Sequence, residues 1–215
     1  MTPLQGKPFT TDEDDGVFVY LDTFSSRAGI TARNELHELS KVAIVGLGGT
    51  GAYLLDLLAK TPIRNVHLYD GDTFSTHNAF RAPGAASVDD LKARMAKVDY
   101  YAATYASMRR NVHPHAVYVT AANVSELADA DLVFLAMDSG PDKWAIVNAL
   151  IAAGVPFIDT GIGVSDDDNG IAGQVRVTTG LPGATDHVTH GGLISVVAGD
   201  AAEYDTNLQL SLIHI

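Results

Sequence analysis

Short apolar runs alternate along this chain with longer stretches whose apolar positions recur every three or four residues. Val42–Val45, Val66–Tyr69, Leu132–Met137 and Val155–Ile158 are runs of the kind expected of strands covered on both faces, and Ala116–Val119 reads as another. Between them, Tyr53–Lys60 reads as helix with Leu54, Leu55, Leu57 and Leu58 on its buried side. Val88–Arg110 has helical periodicity, with Asp89 and Asp90 in its first turn. Pro141–Ala153 is a helix opened by proline and closed by Gly154. This β-α-β alternation predicts an α/β fold, a Rossmann-like doubly wound and mostly parallel sheet. Beyond Gly161 the texture changes: Gly173–Thr178 alternates polar and apolar, which predicts an antiparallel C-terminal extension with one wet face. Ahead of Lys41, Val17–Asp22 reads as a short strand, and Leu36 with Leu39 as a helix. Residues 1–16, with the acidic cluster Asp12–Asp15, read as a solvated tail or loop. The chain therefore divides into an N-terminal extension, 1–40, and a main domain, 41–215.

The junction of the first strand and first helix is Gly46-Leu-Gly48-Gly49-Thr-Gly51. Gly46 permits a tight turn, Gly48 a close approach of phosphate, and Gly51 helix-on-strand packing. Asp70 follows Gly51 by 19 residues at the end of the second strand, near the roughly 20-residue offset of an acid that binds ribose hydroxyls. A nucleotide is the expected ligand. NAD satisfies these features, and so would an NAD-dependent oxidoreductase.

Composition narrows the setting. The formal net charge of −12 disfavours nucleic acid as a partner. The absence of cysteine excludes disulfides, thiolate zinc sites and a thiol nucleophile from this sequence. No apolar run spans a bilayer and no signal-peptide pattern opens the chain, so a cytoplasmic protein without membrane association is expected. His187-x-x-His190 lacks the further ligands of a metal site, and His113-Pro-His115 reads as a turn before a strand.

The residues after Asp70 point away from hydride transfer. Asp72, Asn78 and Arg81 follow directly; Lys97 lies on a helix and Asp138 ends an apolar strand. Attack on the α-phosphate of ATP calls for such a set: cations at the phosphates and an acid for Mg²⁺. Three of these residues also have plainer readings. Asp72 suits a turn, Lys97 a solvated helix face, and Asp138 a helix N-cap.

From about Lys41 to Gly173 the sequence resembles the ubiquitin-activating-enzyme-like adenylyltransferases of the ThiF/MoeB/HesA type. The resemblance rests on GLGGTG at 46–51, the D-x-D-x-x-x-x-x-N-x-x-R spacing from Asp70 to Arg81, Lys97 in Lys-Val-Asp, Asp138 after an apolar strand, and Gly173-Gln-Val. It implies that residues 41–215 form a nucleotide-binding adenylation domain. Gly46, Gly48, Gly49 and Gly51 would line the phosphate turn. Asp70 would bind ribose, with Asp72 in the same nucleotide-contacting motif. Asn78 and Arg81 would contact phosphates, and Lys97 would bridge them. Asp138 would organise Mg²⁺ and ATP. Arg27 in the N-terminal extension is the match for an arginine finger, often supplied by a neighbouring subunit; Arg33 is the alternative. The implied reaction is ATP-dependent adenylation of the C-terminal glycine of a ubiquitin-like or sulfur-carrier protein, with release of pyrophosphate, in a homodimer.

The sequence departs from that pattern in places. Ser139 stands where asparagine is frequent, Lys143 replaces an arginine, and Ala82 a glutamine. The paired zinc cysteines and catalytic cysteine of many relatives are missing, so no zinc is expected and no thioester can form on this sequence. Glu203–Gln209 resembles the start of a longer family helix, so the domain is expected to be incomplete at its C-terminus. A non-catalytic subunit of a heterodimeric activating enzyme is the remaining alternative.

Overall fold

The structure, a computed structural model, describes residues 16–20, 39–167, 170–190 and 193–194. Arg27, Arg33, the expected helix around Leu36 and Glu203–Gln209 lie outside these residues. Strand β1 (Lys41–Val45) is followed by α1 (Gly49–Leu58), β2 (Asn65–Tyr69), the short α2 (Thr76–Ala79), α3 (Val88–Ala93), α4 (Lys97–Tyr105) and β3 (Val112–His115). After a 3-10 turn at Val124–Leu127 come β4 (Leu132–Leu135), α5 (Pro141–Ala153), β5 (Phe157–Asp167), β6 (Gly170–Gly180) and α6 (Asp186–His190).

The sheet order is β3-β2-β1-β4-β5-β6. All neighbours run parallel except β5 and β6, which form an antiparallel hairpin. The strand order reverses between β1 and β4, and in open α/β sheets ligands bind in the crevice that opens there. Apolar side chains cover both faces. On one face Val42, Ile44, Leu68 and Phe74 cluster with Leu55 of α1 and Val98 and Tyr101 of α4; on the other Val133, Leu135 and Phe157 cluster with Ile146 and Leu150 of α5. The doubly wound fold and its antiparallel C-terminal extension therefore stand as the sequence predicts.

Several local expectations need correction. In α1 the buried stripe is Gly51, Ala52 and Leu55, with Ala59 at its C-cap; Leu57 is exposed together with Tyr53. Leu57 is two residues past Leu55, about 200° around the helix, so it cannot share that face. The expected helix over 88–110 is two helices. Arg94 adopts a left-handed conformation, and the following residues pair with the segment after β2. Phe74 N–H donates to Met95 O and Lys97 N–H to Asp72 O, which interrupts the helix beside Asp72.

The expected strand at Ala116–Val119 lies earlier, at Val112–His115. Pro114 lacks an N–H, and this strand is at the sheet edge, where that loss is tolerated. Ala116–Val119 is instead the loop that leaves it, with Val119 in the core and Tyr118 outside. The expected wet face of β6 is reversed. Thr178 is buried and Arg176 half-buried, whereas Val175 and Val177 are exposed. Of the N-terminal strand, only an isolated bridge from Phe18 to Arg109 forms among the described residues.

Candidate functional site

The glycine turn has the geometry its sequence requires. Gly46 has φ of +91°, and a Cβ there would lie 2.6 Å from Ala136 O. A Cβ on Gly51 would lie 1.9 Å from Gly46 O, so only glycine lets α1 close onto the turn. Gly48 caps α1 without a side-chain bond, and a Cβ there would meet nothing within 4 Å. Gly48, Gly49 and Thr50, at the positive end of the helix dipole, border open space.

That space is a cleft of about 1170 Å³ along the carboxyl ends of the strands. Its wall includes Gly46, Gly48, Gly49, Asp70, Asp72, Arg81, Lys97 and Asp138. The structure therefore brings together most residues named from sequence, drawn from five separate elements and loops.

Asp70 is held from three sides. Its Oδ2 accepts Leu47 N–H at 2.7 Å and lies 3.4 Å from Lys97 Nζ; its Oδ1 accepts Asp72 N–H at 2.8 Å. A carboxylate has about four acceptor positions, so a ribose hydroxyl can still donate to it. Lys97 is only 5% exposed, which removes the solvated-lysine reading. Its ammonium reaches Asp72 Oδ2 at 2.6 Å. That bond, reinforced by the Tyr118 hydroxyl on Oδ1, holds the Asp72 carboxyl below the ordinary carboxylate range. Asp72 is thus a lysine partner and more than a turn residue.

Arg81 is exposed, with its Nε donating to His77 O, and its backbone and Cβ sit against Gly49. Asp138 is exposed on the cleft wall and does not cap α5, whose N-cap is Gly140. Asn78 is placed differently from the others. It is 3% exposed and absent from the cleft wall, and its Oδ1 accepts Ser75 N–H within the capping box of α2. Its buried Nδ2 has no partner in the structure.

Three features escaped sequence reasoning, which saw Lys143 only as a departure from the family pattern. Lys143 and Asp159 are both buried, 2.6 Å apart, and Lys143 reaches the cleft wall. Arg176 approaches the other Asp159 oxygen at 3.2 Å. A charge directly after the apolar run Val155–Ile158 was the available signal. Tyr118 was hidden inside an expected strand. Its hydroxyl bonds Asp72, and its ring rests on Gly71, where a Cβ would come within 2.6 Å.

For a metal, Asp138 and Asp142 are carboxylates on the cleft wall near the start of α5. Among the described residues no group of three or more His, Asp or Glu is arranged to hold an ion. Mg²⁺ commonly takes one or two carboxylates and completes its shell with phosphates and water, so the pair fits that ion with a nucleotide present. No helix among the described residues is long and apolar enough to cross a membrane.

Similar folds occur among solved structures. E. coli tRNA N6-threonylcarbamoyladenosine dehydratase, TcdA, in complex with AMP, is 25% identical with a TM-score of 0.56; the match covers 68% of this chain and 66% of that one. E. coli MccB with ATP is 21% identical with a TM-score of 0.55, covering 70% of this chain and 43% of that one, a likeness of fold. The chain spans less than two thirds of the length of either. No curated protein matches it. The model of the ThiF family matches residues 22–195, an interval that contains the whole cleft. The chain belongs to the ThiF family.

Proposed function

We propose that the cleft binds ATP and transfers its AMP moiety to a substrate carboxylate. The observation that carries this reading is the convergence of an uncapped helix N-terminus, Arg81, Lys97 and Asp138 on one wall. A hydride-transfer site leaves the last three without a role. A carboxylate oxygen attacks the α-phosphorus, the bond from that phosphorus to the bridging oxygen breaks, and pyrophosphate leaves with its electron pair. The products are acyl-AMP and pyrophosphate. The nucleophile is already ionised, so no general base is required. Catalysis is then alignment and charge neutralisation. Gly48 and the first turn of α1 hold phosphate, Asp70 orients ribose, and Lys97 and Arg81 compensate charge at the α-phosphate and leaving group. Asp138, with Asp142, would hold Mg²⁺, which supplies further charge neutralisation when bound.

The substrate we favour is the C-terminal glycine of a ubiquitin-like or sulfur-carrier protein. Family membership supports adenylation, and the net charge of −12 weighs against RNA. Arg27, or else Arg33, would add a cation from the N-terminal extension, and a second copy in a homodimer would bring it to the cleft. The exposed Ile162, Val175 and Val177 support such an association, because a second copy would cover them.

The test is ATP–pyrophosphate exchange with a carrier ending in glycine. Lys97→Ala and Asp138→Ala should each abolish exchange while the far-UV spectrum stays native. Exchange at the wild-type rate in both variants would sink the proposal. Carrier binding without any exchange would point instead to a non-catalytic subunit.

A further inference from the structure

Tyr118 and Tyr53 are exposed aromatic side chains on the cleft wall that the proposed chemistry leaves unused, and of the two Tyr118 is bonded to Asp72. Tyr118 is 62% exposed, yet it is held at its hydroxyl and along one edge of its ring. The hydroxyl donates to Asp72 Oδ1. The ring rests on Gly71: a Cβ there would come within 2.6, 2.7 and 2.8 Å of Cε2, Cδ2 and Cζ. Any other residue at 71 would push the ring away. One side of the ring is thus packed on backbone, and the remainder is open to the cleft.

The topology gives that open surface a use. Phosphate belongs at the turn after β1, beneath α1. Ribose belongs at Asp70, after β2. Each step moves one strand toward the β3 edge, because β1, β2 and β3 are consecutive neighbours. Continuing in the same direction, the base arrives at the loop after β3, where Tyr118 and Val119 line the cleft. An immobilised aromatic surface there suits a flat heterocycle, since stacking needs only a π-face.

The same side chain touches the reaction's cation through one intermediary. Tyr118 Oη holds one oxygen of Asp72 while Lys97 Nζ holds the other at 2.6 Å. We propose that Tyr118 is a positioning residue that couples the two ends of the nucleotide: its ring carries the base, and its hydroxyl fixes Asp72 and thereby Lys97. The inference rests on the ATP reading of the cleft and adds a residue to it.

The test uses the full chain with two probes, ATP and inorganic tripolyphosphate, which has the phosphates and lacks the base. Tyr118→Ala should weaken ATP binding roughly tenfold, and tripolyphosphate binding no more than Tyr118→Phe weakens it. Tyr118→Phe keeps the ring and should bind ATP more tightly than Tyr118→Ala does. It should also shift the acid limb of the exchange-rate profile to higher pH, because Asp72 loses a bond that keeps it ionised. Unchanged ATP affinity in Tyr118→Ala would overturn the proposal, as would equal loss of both probes, which is the mark of a merely structural role. An unshifted acid limb in Tyr118→Phe would overturn the coupling to Lys97. Wild-type chain that binds ATP no better than tripolyphosphate would show that no base subsite exists. Failure of the wild type to bind either probe would overturn the ATP reading itself, a distinguishable result.

Discussion

Lys143 Nζ lies 2.6 Å from Asp159 Oδ1, and the two side chains are 1% and 0% exposed. The contact is close but off the hydrogen-bonding direction, because Asp159 Oδ1 has no aligned donor. Arg176 engages the other oxygen from a half-buried position. A single buried carboxylate therefore ties α5, β5 and β6 together behind the cleft. Removing one member of a buried pair leaves an uncompensated charge, at a cost of about 3 kcal/mol. Lys143→Met should lower stability by about that amount, since Arg176 still faces the carboxylate. Urea unfolding would measure it. A midpoint like that of the wild type would mean that water or Arg176 fully replaces the lysine.

Arg109 is another buried cation, 1% exposed and bonded to the main-chain carbonyls of Leu58, Ile63 and Arg110. Burial pushes its guanidinium down to about 10. It bonds Ile63 O in the loop after α1 and shares Leu58 O, at the C-terminal end of that helix, with Thr61. Arg109→Met should cost about 2–4 kcal/mol, read as a drop in Tm, with ATP affinity unchanged at low temperature.

The glycines of the turn separate folding from binding. Gly51→Ala forces a Cβ to within 1.9 Å of Gly46 O and should unfold or strongly destabilise the chain. Gly48→Ala meets no protein atom and has φ of −71°, so its melting temperature should match the wild type. Its methyl group would occupy phosphate space, and ATP affinity should fall at least tenfold. Calorimetry with both variants checks the pair. Undiminished ATP binding by Gly48→Ala would place the phosphates elsewhere.

Three imidazoles line the β2–β3 edge. His67 Nδ1 is 3.0 Å from His115 Nε2, and the His67 ring stacks on that of His113 at 4.5 Å. Burial, then the neighbouring His113 and Lys41, push His67 down to about 4; burial also lowers His113 and His115. A histidine with a depressed folded-state pKa leaves the unfolded chain binding more protons at intermediate pH. Stability from these groups is therefore complete above about 6.5 and falls as pH drops from there toward 4. Unfolding midpoints at pH 7 and pH 5 would read the loss, and His67→Phe should reduce it. Equal pH dependence in that variant would assign the loss to other groups.

The strands around the switch point were legible because parallel strands covered on both faces are written as plain apolar runs. The glycine turn was legible because sterics leave no alternative at Gly46 and Gly51. What escaped was set by contacts distant in sequence. The break between α3 and α4 comes from pairing with residues 72–74, a partner that periodicity cannot register. The inverted face of β6 follows from Asp159, whose buried charge draws Arg176 inward against the hydrophobic pattern. The motif spacing put Asp72, Arg81, Lys97 and Asp138 on one cleft wall, whereas Asn78 is spent on capping α2.

The reversal of strand order between β1 and β4 has a consequence for how the chain is made. Ser40 and Lys41 donate their N–H groups to Asp131, about 90 positions later, and Gly46 backs onto Ala136. A nascent chain that has left the ribosome only as far as β3 already carries the glycine turn and Asp70, but not the strand that closes the cradle behind them. Nucleotide can therefore act as a folding ligand only late in synthesis, once β4 has emerged. Until then one apolar edge of β1 is unpaired, the kind of edge that exposes a nascent chain to misassembly.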